Sequence, residues 1–184
     1  AGKTYFLYQL IGGLLRSGKA VREDILFVDF EDYRLRDFRP EDTDRLLAVF
    51  FQLTGRTARY LFFDEVHRLR SWSRVVRTLH NTRKYAIVVT GSNASLLGSE
   101  VATELRGRYE DALILPFSFR EFLAHRRITW TPALLSTPES GLILRAFDEY
   151  LRCGGFPEVA GAPDEGAKRR ILEEYFDTTF YRGV

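Results

Sequence analysis

Apolar positions along the chain change period several times, and each change marks an element. Leu7, Leu10, Ile11, Leu14 and Leu15 recur at helical spacing and predict a first helix ending near Ser17-Gly18. An unbroken apolar run follows at Ile25–Phe30, short enough for a buried strand. Glu31–Pro40 reads as a charged loop, and Thr43–Leu53 as a helix burying Leu46, Leu47, Phe50 and Phe51. Tyr60–Asp64 is a second apolar strand. Trp72, Val75, Val76 and Leu79 mark another helical face, and Ala86–Thr90 and Ala112–Leu115 two more strands. Strands alternating with helices predict an α/β fold, a parallel sheet covered on both faces.

Past Pro116 the pattern turns helical. Ser118-x-x-Glu121 is a capping-box signature opening a helix through Phe119, Phe122 and Leu123. Arg127–Glu139 holds two prolines and little periodicity, so it reads as a loop. Leu142–Arg152 and Lys168–Tyr181 are two further helices, separated by the turn Gly154-Gly155-Phe156-Pro157-Glu158. The expected domains are a core over 1–117 and a helical lid over 118–184.

Two short segments carry chemistry. Ala1-Gly2-Lys3-Thr4 matches the second half of the phosphate-binding loop G-x-x-x-x-G-K-[ST], which joins a strand to a helix. Backbone N–H groups at a helix start favour phosphate. Gly2 lets the backbone approach, Lys3 would neutralise the β- and γ-phosphates, and the Thr4 hydroxyl would ligate magnesium. Leu61-Phe62-Phe63-Asp64-Glu65 is an apolar strand ending in two carboxylates. Asp64 suits the magnesium shell, and Glu65 can orient or deprotonate an attacking water. Asp29 ends a competing strand, but its closeness to the first helix suits a neighbouring strand better.

Further candidates lie beyond the third strand. Ser92 and Asn93, in Thr90-Gly91-Ser92-Asn93, would sense the γ-phosphate or cap a helix over Ala94–Leu97. Arg106 and Arg108 would reach a neighbouring subunit's phosphate as an arginine finger, or form a surface pair.

Composition changes this picture little. The 184 residues, 45% hydrophobic and 28% charged, suit one globular domain with a small appendage. The single Cys153 excludes an internal disulfide and fits a reducing cytoplasm. No apolar run approaches membrane-spanning length. A net charge of +2 does not imply nucleic acid, and no basic helix with interleaved aromatics declares it. His67, His80 and His125 lack zinc-ligand spacing.

In order, GKT, FFDE, TGSN, LRGR, PFSFREF and GGFPEV give the chain a family resemblance from Gly2 to about Arg182. It resembles the AAA-type P-loop ATPases of bacteria and archaea, near the STAND and extended AAA lineage. PFSFREF followed by GGFPEV is the most specific part. The resemblance implies ATP and Mg2+ as cofactors, hydrolysis coupled to conformational change, and strand order 5-1-4-3-2. The first strand and half the phosphate loop would precede Ala1, between Ala86–Thr90 and Ala112–Leu115 in the sheet. This stretch by itself is therefore expected to bind ATP weakly and to be inactive. Matched motifs assign Gly2, Lys3 and Thr4 to phosphate and metal, Asp64 and Glu65 to metal and water, Ser92 and Asn93 to the sensor and Arg108 to the finger. A homo-oligomer, and a DNA or protein partner held through a further C-terminal domain, are the implied partners. Two alternatives are a nucleotide-dependent signalling switch with little turnover and a small-molecule kinase using Asp29 or Glu31 on its acceptor.

Overall fold

The computed structural model describes residues 2–91, 105, 107–136 and 140–181. By contact they divide into two compact units, Lys3–Ala112 and Ala1–Gly2 with Leu113–Val184.

In the first unit three parallel strands, β1 (Ile25–Asp29), β2 (Tyr60–Asp64) and β3 (Ala86–Val89), lie in the order β1-β2-β3. Ile25 pairs with Tyr60 and Asp29 with Asp64, and Tyr60 pairs with Ala86 on the other side. Parallel strands need long crossovers, here holding helices α2 (Asp42–Thr54) and α3 (Trp72–Asn81). Side chains alternate across the sheet. Leu26, Val28, Leu61 and Phe63 join Trp72, Val75, Val76 and Leu79 in one core, with Leu46, Leu47 and Phe50 packed against it. Phe62 is buried on the opposite face, and Tyr8 of helix α1 (Lys3–Arg16) stacks on Phe27 at 5.5 Å. Central β2 is thus buried from both sides.

Several expectations change. Phe51 and Leu10 are exposed, because each stands at the margin of its helix's apolar stripe. Ala112–Leu115 forms no strand: Leu113 and Leu115 are exposed, and no described strand offers the segment a ladder. An extended apolar run becomes a strand only when a neighbour takes up its backbone groups. The loop over residues 127–139 contains a 3-10 turn at Pro132–Ser136.

The second unit is helical: α4 (Phe119–His125), α5 (Ser140–Cys153), the single turn α6 (Pro157–Ala160) and α7 (Glu165–Tyr181). Ser118 and Glu121 form the expected capping box at the start of α4. Phe122, Leu123, Ala146 and Ala160 form its core, flanked by Phe117, Phe119 and Tyr150. Gly155 explains why two distant motifs go together. Its carbonyl accepts the Phe117 N–H at 2.6 Å, and Tyr150 Oη donates to the Phe117 carbonyl at 2.8 Å. A Cβ on Gly155 would stand 2.1 Å from the Phe117 oxygen, so only glycine permits this approach. Lys168, buried on α7, reaches Glu149 of α5 and Glu165, each at 2.7 Å, and Arg126 also pairs with Glu149.

Candidate functional site

Parallel strands present their C-terminal ends on one edge, the edge at which open α/β sheets bind ligands. Asp64 ends the middle strand there. Its side chain is 1% exposed, and a carboxylate that deep requires donors. It has two. The Thr4 hydroxyl, in the first turn of α1, donates to Oδ2 at 2.6 Å, and the Thr90 hydroxyl, just beyond β3, donates to Oδ1.

Thr90 organises the turn that follows. Its hydroxyl accepts the Glu65 N–H at 3.1 Å, and its carbonyl accepts the Val66 N–H at 2.8 Å. Its own N–H bonds the Phe63 carbonyl at 2.9 Å, extending the β2–β3 ladder one residue. Glu65 is thereby held at φ 48°, ψ 44°, a left-handed conformation that costs a non-glycine residue about 1–2 kcal/mol. This bend turns the chain out of the strand between two adjacent carboxylates. His67, in the 3-10 turn Val66–Arg68, holds Nδ1 3.3 Å from Glu65 Oε2. That nitrogen is buried and, among the described residues, makes no aligned hydrogen bond.

Gly2 has φ 91°, a backbone state that suits glycine, and Lys3 opens α1 beside Thr4. Lys3, Thr4, Asp64 and Glu65 therefore belong to one sheet edge. Ser92, Asn93 and Arg106 lie outside the described residues. Arg108 is exposed, its N–H bonded to the Leu105 carbonyl, and neither bond to the Asp64 side chain comes from it. Asp29 and Glu31 line an open depression with Asp32, Tyr33 and Arg34. Their carboxylates are engaged locally: Asp29 accepts the Glu31 N–H at 2.8 Å, and Glu31 meets Arg68 at 3.2 Å. The Arg34 side chain and N–H together hold Asp32 down at about 2.

A hydroxyl oxygen and a carboxylate oxygen 2.6 Å apart are hard donors of the kind magnesium takes. Among the described residues no group of three or more His, Cys, Asp or Glu could cage a metal alone. The donor set fits an ion that also uses phosphate oxygens and water. Thr90 and His67 are the participants that sequence reasoning passed over. Thr90 was visible only as a strand end, and His67 only as a lone histidine.

A family model described as an AAA domain matches residues 1–123. An uncharacterised protein of Methanocaldococcus jannaschii is 38% identical over 183 residues, covering 100% of this chain and 39% of its own length. One from Haemophilus influenzae is 33% identical over 178 residues, covering 97% of this chain and 42% of its own length. The chain spans about two fifths of the length of these curated relatives. No solved structure matches. Among the described residues no helix is long and apolar enough to cross a membrane.

Proposed function

The chain belongs to the AAA domain family, and from that premise we propose that it binds ATP with Mg2+ at the start of α1 and supplies both carboxylates for hydrolysis of the terminal phosphoanhydride. One observation carries the reading: Thr4 and Asp64, sixty positions apart, meet at 2.6 Å at the end of the central strand. The N–H groups opening α1 and the Lys3 ammonium would hold the phosphates. Thr4 and Asp64 would hold the metal, which when bound screens the charge on the phosphate oxygens. Glu65, one residue on and bent away from the strand, would take the proton of the attacking water. Ser92 and Asn93 would contact the γ-phosphate or the water, and Arg108 would serve a neighbouring subunit's site. The local engagement of Asp29 and Glu31 weighs against their gripping a kinase acceptor.

The whole protein's activity follows from this as a proposal. Titration of a fluorescent ATP analogue into the protein should give binding that tightens with Mg2+. Lys3→Ala should weaken it at least tenfold, and Asp64→Asn should remove most of the Mg2+ effect. Affinity indifferent to Mg2+ and to both substitutions would defeat the reading.

A further inference from the structure

From Val66 to Lys84 the sequence holds six cationic side chains and no acid, against a net charge of +2 for the whole chain. The remainder is therefore net negative, and the segregation is invisible in the total. Folding sharpens it. Helix α3 turns Trp72, Val75, Val76 and Leu79 inward and leaves Arg74, Arg77 and His80 exposed, with Arg70 before it and Arg83 and Lys84 after it also exposed. We propose that this face binds the phosphate backbone of double-stranded nucleic acid without reading its sequence.

The partner class follows from what the face has and lacks. Four of the five fixed cations on this face, Arg70, Arg74, Arg77 and Arg83, are arginines, whose planar fork bonds a phosphate through two N–H groups. Arg74 to His80 covers about 9 Å at 1.5 Å per residue, matching two to three phosphates of one strand at about 3.4 Å per charge. No large apolar side chain between Arg70 and Lys84 is exposed. A membrane-surface helix needs an apolar face to bury, and a protein interface needs an aromatic or aliphatic anchor. Single strands bind by stacking bases on aromatics, and Trp72 is buried here. Duplex phosphate asks for none of these.

The test is fluorescence anisotropy of the protein with a labelled 20-base-pair duplex of mixed sequence between 50 and 200 mM salt, without nucleotide. About four phosphate contacts predict a log–log salt slope near −3.6, roughly a hundredfold loss across that range. Replacing Arg74, Arg77 and Arg83 together by Gln should weaken binding at 50 mM more than tenfold and flatten the slope by about 2.7. The same charge change at Arg152, Arg169 and Arg170, exposed on the helical unit, should leave binding unchanged. Circular dichroism verifies that both variants remain folded. No binding at 50 mM, equal loss in both variants, tighter binding of the single strand, or preference for phosphatidylserine vesicles would each overturn the proposal. No ATP is involved, so this result and the outcome of the ATP titration are independent.

Discussion

Replacing Thr90 by Val keeps the shape of a buried side chain and deletes one oxygen. That oxygen donates to Asp64 and accepts the Glu65 N–H at 3.1 Å, so two buried groups lose a partner at once. An orphaned buried N–H costs about 1–3 kcal/mol, and a lost hydrogen bond to a charged group about 1.5–3 kcal/mol. Partial rebonding to water trims the sum to about 3 kcal/mol. For a chain of this length that lowers the melting temperature by about 6–12 °C. Thr90→Ser keeps both bonds and loses one methyl, worth about 1 kcal/mol. Thermal unfolding followed by far-ultraviolet circular dichroism ranks the three proteins as wild type, Ser, then Val. A Val variant as stable as wild type, or a Ser variant less stable than Val, would refute the role of the hydroxyl as the clamp on the Asp64-Glu65 turn.

Gly155→Ala forces a Cβ against the Phe117 carbonyl, so the helical unit should lose about 2–4 kcal/mol; urea unfolding monitored at the Phe117–Tyr150 cluster reads this, and an unchanged midpoint would contradict the contact. Burial pushes the Glu149 carboxyl up, but the Lys168 hydrogen bond, the charges of Arg126 and Lys168 and the Arg126 hydrogen bond outweigh it and hold it low. Its contribution is present above the ordinary carboxyl pKa of 4.5 and is lost as pH falls through the lowered value. Burial pulls Lys168 down, but the bonds to Glu149 and Glu165 raise it, so its share is present below 10.5 and is lost as pH rises through the raised value. Glu149→Gln should therefore cost about 1–3 kcal/mol at pH 7 and flatten the fall in stability between pH 5 and 3; urea midpoints across that range measure it, and an unaltered slope would contradict it.

Much of the fold could be read from periodicity because each buried face repeats. The apolar run 60–64, the inward positions of α3 and the Ser118–Glu121 box all act over a few residues and appear where expected. Failures arose where structure depends on something distant. Ala112–Leu115 has strand composition but no ladder partner among the described residues. Thr90 acts on residues 25 and 26 positions away, a relation that no local pattern encodes. Motif chemistry singled out Thr4 and Asp64 separately, each as an expected magnesium ligand, and the hydrogen bond between their side chains appeared only in the fold. The PFSF and GGFP segments were recognisable as markers, but their physical link, an amide pressed onto a glycine, emerged only from the fold. The basic face of α3 was hidden because acids elsewhere balance its arginines.

Glu65→Gln tests the central claim most directly. The substitution keeps the size of the side chain after Asp64 and removes its ability to take a proton. ATP affinity in the presence of Mg2+ and steady-state phosphate release are measured side by side. The account predicts affinity within about threefold of wild type and turnover reduced by about 10²–10⁴. Turnover equal to wild type, with binding intact, would remove Glu65 from the reaction and contradict the proposed hydrolytic site.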